Sequence, residues 1–353
     1  MRVFLLSDDP VLAHRADCEL AAAMTSLGHD VDVETCPDLD LSRAAAFGHE
    51  LAARWVDAPP DAVIAHGWLA GMAAQVGARA GEVPVVQRFS RLARGQDDPE
   101  RARFEAALGR GAAMILASCS EQAELLAAIG VPRQKVLVVP LGVDTALFTD
   151  DGPSWPRNGR RRLVAADELV SEDAVGALVA ALPALPTCEL LVIGPADVPD
   201  LAVHPVARVL VDAAQRRHVA DRLKFVGPVD DTELPGLLRS ADVAVATGRD
   251  SDDAAFVLRA MSCGVPVVAY DAGAVSDAVA DGVTGLLVPP LSTSRLGDAV
   301  RSLLGDGLAR DSYGLSATDR ARARFAWDVI AEATLRVIED VRAAPRWEDA
   351  AAS

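Results

Sequence analysis

The feature that most constrains this chain is an alternation of short apolar strands with Ala- and Leu-rich helices that runs through it twice. "MRVFLLS" is an apolar strand signal, and "HRADCELAAAMTSLGHDVDVETC" supplies a helix, a stop at Gly28 and a second strand around Val31 to Val33. "DAVIAHGW" (61–68) and "VPVVQRFS" (83–90) carry two further strand ends, separated by the small-residue helix "LAGMAAQVGARAG". A charged helical stretch, the strand "MILASCS", the helix "SEQAELLAAIG" and the segment "KVLVVPLGVDTALF" follow. Strands alternating with helices in this way predict a parallel sheet covered on both faces.

The segment "TDDGPSWPRNGRRR" (149–162) is rich in Gly, Pro and charge and reads as an interdomain linker. The pattern then begins again. "RLVAADEL", "CELLVIG", "KFVGPV", "DVAVATG", "PVVAYDAG" and "TGLLVPP" are strand signals, and "SEDAVGALVAALPAL", "DTELPGLLRSA" and "VSDAVADG" are helical. "RVLVDAAQRRHVADRL" reads as helical in its second part, and a helical tail from "RLGDAVRSLLGD" through "ARARFAWDVIAEATLRVIEDVRAAP" completes the chain. At 353 residues the chain is long enough for two hydrophobic cores. The expected architecture is α/β, two Rossmann-like doubly wound domains facing a central cleft. The first spans 1–150, the second 155–325, and a terminal helix over 326–345 crosses back. Such a cleft is the default ligand site, because strand C-termini and helix N-termini converge there.

Composition narrows the function. A net charge of -17 opposes non-specific attraction to nucleic-acid phosphates or acidic membranes. No run of about 18 apolar residues predicts a transmembrane segment, and the N-terminus lacks the long apolar stretch of a signal peptide, so a cytoplasmic protein is expected. Lysine is confined to Lys135 and Lys224, so arginine is expected wherever a cation is needed. Cys18, Cys36, Cys119, Cys188 and Cys263 form no CxxC unit and are expected as reduced, buried thiols, with no metal site. Neither half carries GxGxxG or GxxxxGK[ST], which removes the specific support for hydride transfer or P-loop chemistry.

Several segments, in order, carry a family resemblance. They are "LGHDVDV", "AHGWLAG" (65–71), "VPVVQRF" (83–89), "KVLVVPLGVDTALF" (135–148), "LKFVGPVDDTELPGLLRSADVAVA", "RAMSCGVPVVAYDAGAVSDAVADGVTGLLVPP" and "ARFAWDVIA". Together they resemble the retaining, nucleotide-sugar-dependent glycosyltransferases of family 4, which have the GT-B fold. The resemblance implies a donor held by the C-terminal domain, an acceptor held by the N-terminal domain, and no bound metal or other cofactor. A nucleotide-diphosphate sugar is then a ligand of the cleft, and its departing diphosphate needs helix N-termini and cations aimed at it.

Against the family's motifs, five elements depart. Glu168 and Asp173 fall where an arginine and a lysine hold the diphosphate. Ser251 and Arg259 fall on the two glutamates that touch the donor sugar and ribose, with Ala254 on the motif's glycine. Val11 and Leu12 replace a phosphate-loop glycine pair, Ser90 replaces the histidine of the motif after the third strand, and Ile64 replaces the first histidine of the motif that ends in His66. Two carboxylates facing a diphosphate repel it where Coulomb terms are least screened.

The surviving candidates are few. His66 is the best remaining acid/base group or else packs at the sheet edge, and Ser90 is a weak second catalytic candidate. Gly273 keeps one glycine of the donor loop, with Ala274 in place of the second, and the turn either binds an anion or simply joins strand to helix. Arg259 is either a solvated helix residue or part of an ionic cluster with Glu168 or Asp173. Gly142 is expected in a turn, and Phe325 and Trp327 in packing of the C-terminal helix. Two functional readings stand. One is a glycosyltransferase-like binding or partner-regulating module, with a small-molecule or protein partner, that has lost ordinary transfer. The other is a divergent transferase moving a hexose from a nucleotide sugar with remodelled contacts from Arg88, Arg91 or Arg249.

Overall fold

The structure is a computed structural model that describes residues 1–9, 12–93, 98–166, 173–194, 204–227, 229–247 and 254–343, with the side chains of residues 12, 13, 173 and 174 left aside. The chain divides into two compact units, Met1–Gly142 with Trp327–Ser353, and Val143–Ala326.

In the first unit β1 (Arg2–Ser7) leads through α1 (Leu12–Ser26) to β2 (Asp30–Thr35), and α2 (Leu41–Arg54) leads to β3 (Ala62–His66). Then come α3 (Trp68–Ala78), β4 (Val85–Arg88), α4 (Pro99–Gly111), β5 (Met114–Ala117), α5 (Ser120–Ala128) and β6 (Val136–Val138). The sheet order is β2-β1-β3-β4-β5-β6, and each neighbouring pair is parallel. Side chains of a strand alternate between faces. In β3, Ala62 and Ile64 therefore join the core that includes Leu20 and Met24 of α1, while Val63 and Ala65 join the core under Leu51 of α2 and Ala70 and Ala73 of α3. Burying each large aliphatic side chain contributes about 1.5–3 kcal/mol.

The second unit holds β7 (Arg161–Ala166), α6 (Asp173–Ala181), β8 (Cys188–Ile193), α7 (Pro205–Arg216), β9 (Leu223–Gly227) and α8 (Leu234–Arg239). It continues with β10 (Val243–Ala246), α9 (Ala255–Ser262), β11 (Val267–Tyr270), α10 (Gly273–Ala278), β12 (Gly285–Val288), α11 (Thr293–Gly305) and α12 (Gly307–Phe325). Its sheet is also parallel, in the order β12-β11-β10-β7-β8-β9. The expectation of two parallel α/β sheets holds in both halves.

Two sequence expectations, one helix and the cysteines, need correction. The helix expected only in the second part of 208–223 begins earlier, at Pro205, whose ring presets a helical φ, and it ends before His218, which sits at φ 55°. The C-terminal tail holds two helices that belong to different units. Ala326 leaves the helical region (φ −62°, ψ 141°), so Phe325 closes α12 in the second unit while Trp327 opens α13 (Trp327–Ala343) in the first. Finally, Cys18 is exposed and Cys36 half-buried, whereas Cys119, Cys188 and Cys263 are buried; all five thiols are free.

The starts of β7 and β8 hold a buried ionic network. Arg162 donates to Glu189 at 2.8 Å and to the Ser240 hydroxyl at 2.7 Å, and Lys224 reaches the other Glu189 oxygen at 2.8 Å. Burial pushes the Glu189 carboxyl up, but the hydrogen bonds from Lys224 and Arg162 override it and hold it below the usual glutamate range. This end of the sheet is structural.

Candidate functional site

In a parallel sheet the carboxyl ends of the strands are where ligands meet the chain. In the first unit those ends form a polar row in register: Thr35 beside Ser7, Ser7 beside His66, and His66 beside Arg88. By strand alternation His66 follows Ile64, and Arg88 follows Val86, on the face covered by α1. There His66 meets Asp17. This residue sits on the buried stripe of α1, three and seven residues before Leu20 and Met24.

Asp17 Oδ1 lies 3.1 Å from His66 Nδ1, and both side chains are buried, with relative exposures of 2% and 7%. The second oxygen, Asp17 Oδ2, is buried with no hydrogen-bond partner among the described residues. Arg88 is buried too, with one long hydrogen bond of 3.5 Å from Nη2 to the Val139 carbonyl. Burial pulls its pKa down and the charge of Asp17 pushes it back up. The three groups form an interior polar cluster, Asp17–His66–Arg88, under the carboxyl edge of the sheet.

Two more groups shape this edge. Asp8, just past β1, accepts the backbone N–H groups of Leu69 (2.8 Å) and Ala70 (3.1 Å) at the start of α3. Gly67 is required beside it, since it sits at φ 101° and a Cβ would fall 1.8 Å from Asp8 Oδ1. The α3 N-terminus is thus filled by the chain's own carboxylate and does not offer itself to a phosphate. Burial raises the Asp8 pKa against those two hydrogen bonds. Gln87, on the opposite face from Arg88, donates to the carbonyls of Ala65, Gly67 and Arg88, and its Oε1 occupies the space a side chain at Gly71 would need.

The structure brings together only part of what the sequence suggested. His66 is in the cluster, but Ser90 is exposed beyond the end of β4. Asp17 and Asp8 were missed. A carboxylate on the apolar stripe of α1, in phase with Leu20 and Met24, was the available signal for Asp17. A groove of about 270 Å³ near Arg2, Asp32, Glu34 and Arg54 is a weaker candidate, because its arginines are already paired, Arg2 with Asp32 and Arg54 with Glu34.

In the second unit, Glu168, Arg249 and Ser251 lie outside the described residues, as does Val11 of the first; Asp173 opens α6, with its side chain outside them. Arg259 is described. Its guanidinium carbon lies 5.2 Å over the Phe148 ring centroid, and Nη1 lies 3.8 Å from Asp231. It is therefore not a freely solvated helix residue. Gly273 takes φ 55° at the first position of α10, a six-residue helix whose preceding residue, Ala272, gives no side-chain cap. Burial pushes the nearby α9 cap residue Cys263 up to about 12, which leaves it a protonated, inert thiol.

Comparison with known proteins places these features in context. The family described as "Glycosyl transferases group 1" matches residues 160–306, and the "Glycosyl transferase 4-like domain" matches residues 33–142. A glycogen synthase of Mycobacterium tuberculosis is 30% identical over 291 residues, spanning 79% of this chain and 68% of that protein. A D-inositol 3-phosphate glycosyltransferase of Jonesia denitrificans is 31% identical over 315 residues, spanning 80% and 72%. Among solved structures, Anabaena HepE in complex with UDP superimposes with a TM-score of 0.80 at 17% identity, covering 96% of this chain and all (100%) of its own. These likenesses show the GT-B fold.

Proposed function

This chain belongs to the glycosyltransferases of the GT-B class, and on that premise we propose that it has given up ordinary hexosyl transfer and serves as a binding or partner-regulating module. The observation that carries this reading is Arg259. It falls on the second glutamate of the family's donor motif, and the Phe148 ring and Asp231 hold a guanidinium there. A guanidinium has five donors and no acceptor, so it cannot accept the hydroxyl hydrogen bonds a carboxylate takes from a ribose. Glu168 and Asp173, aligned with two cations, add repulsion toward a diphosphate.

One observation favours the second reading, a divergent transferase acting on a nucleotide sugar. A histidine held by a buried carboxylate, as His66 is by Asp17, is an acid/base arrangement. In that case HepE, which was crystallised with UDP, suggests a uridine nucleotide as the donor.

Calorimetry against UDP-, GDP- and ADP-sugars separates the two. The proposed reading expects no saturable heat and no released nucleoside diphosphate with any of them. Saturable binding with a clear preference for one nucleotide, together with release of its nucleoside diphosphate, would instead establish the divergent transferase.

A further inference from the structure

We propose that Asp17 is a positioning residue that holds His66 with its proton on Nδ1, so that Nε2 presents a lone pair to a hydroxyl group of a sugar or polyol ligand bound on the first unit. The inference rests on the view that the first unit keeps a ligand-bearing face, which both functional readings share.

The geometry supports each step. A carboxylate oxygen 3.1 Å from Nδ1 accepts an N–H there, and a neutral imidazole with a proton on Nδ1 has its lone pair on Nε2. Among the described residues Nε2 has no hydrogen-bond partner. His66 is also the last residue of β3, at the carboxyl edge of the sheet, and its side chain keeps 7% exposure against 2% for Asp17. The histidine therefore faces both ways, fixed from beneath by Asp17 and reachable from the edge.

Charged groups stand around the pair. Arg88 is buried and in register beside His66. Asp8 accepts from the N–H groups of Leu69 and Ala70, and Asp17 accepts with one oxygen at Nδ1. An acceptor nitrogen in such a setting suits a hydroxyl donor and not a phosphate, which would need a cation in the same place.

The test uses the full chain labelled with ¹⁵N and reads the His66 ring directly, with no nucleotide sugar present, so its failure is independent of the donor question. Two-bond proton–nitrogen spectra at alkaline pH are expected to show Nδ1 protonated and Nε2 bare. Diethyl pyrocarbonate, which needs an accessible imidazole lone pair, is expected to modify His66 in the folded protein. In Asp17→Ala the proton should move to Nε2 and the modification rate should fall several-fold. Asp17→Asn, whose amide oxygen can still accept from Nδ1, should restore the Nδ1–H form and covers the case in which the alanine variant does not fold. A wild-type ring protonated on Nε2 would overturn the proposal. So would a folded protein whose His66 resists the reagent while exposed histidines react, or a tautomer indifferent to Asp17→Ala.

Discussion

Gly142 and Trp327 meet so closely that a Cβ on Gly142 would fall 2.3 Å from Cδ2 of the indole. They lie where the chain leaves the first unit and where it returns, so this contact fixes the start of α13 against the unit it rejoins. Gly142→Ala is expected to destabilise by about 1–3 kcal/mol, the usual cost of overpacking a filled site. Chemical denaturation measures it. A compensating Trp327→Leu should recover part of the loss in the double variant, because the two side chains compete for one volume.

Gly142 also shows what the sequence could and could not disclose. The strand–helix alternation in both halves was legible because apolar period and Gly or Pro punctuation are local signals. A glycine in "PLGVD" reads as a turn from sequence alone, since its real reason, an indole from residue 327, is 185 positions away. The cause of the break at Ala326 was illegible for a similar reason. "ARARFAWDVIA" keeps a helical pattern throughout, and what interrupts it is a pairing with Val143, whose N–H donates to the Phe325 carbonyl at 2.7 Å. His66 was visible as a histidine after a strand, but its partner Asp17 is joined to it only by the packing of α1 on the sheet.

Removing Asp17 should also be felt in stability. Arg88 is buried, and the described structure offers it the charge of Asp17 but no carboxylate within 4 Å. Asp17→Leu leaves that guanidinium without its counter-charge and is expected to cost about 3–5 kcal/mol. Asp17→Leu with Arg88→Leu should be more stable than Asp17→Leu alone, since removing both partners removes the uncompensated charge. Urea midpoints of the four members of the cycle decide this.

Asp8 gives a pH dependence of definite sign. Its native pKa is raised by burial, so the folded state binds the proton more tightly than the unfolded chain. Between the ordinary aspartate value of about 3.9 and the raised native value, the native state holds more protons. Stability therefore falls as pH rises through that window and stays lower above it. In Asp8→Asn this slope disappears while an oxygen remains to accept from Leu69 or Ala70. The melting temperature of the variant relative to wild type should become more favourable from acid toward neutral pH; a constant difference would contradict the assignment.

Glu189 behaves oppositely. Its folded pKa is depressed, because the hydrogen bonds from Lys224 and Arg162 outweigh the burial that pushes it up. It contributes stability above the ordinary glutamate value of about 4.3, and that contribution is lost as pH falls through the lower, native value. Glu189→Gln should be markedly less stable than wild type at neutral pH, with the gap closing in strong acid. Arg162 is left buried without its carboxylate in the variant, so the neutral-pH deficit is expected at about 3–5 kcal/mol. Thermal melts across the acid range would show it.

The thiols report local opening. Cys18 is the exposed cysteine, yet burial, Asp17 and Glu19 raise its pKa, so the thiolate is scarce and its labelling slow for an exposed site. Cys263 is buried and pushed up to about 12, so in the native protein it has neither access nor thiolate. Its place after α9 puts it one residue before Gly264, whose carbonyl lies so close to α12 that a Cβ on Gly314 would fall 2.3 Å from it. Labelling of Cys263 therefore requires α9 and α12 to separate, and its rate should track global unfolding in urea while Cys18 labels in native buffer. Mass spectrometry of each modified peptide over time checks both rates. Early labelling of Cys263 under native conditions would show that the α9–α12 contact opens on its own, before the rest of the second unit unfolds.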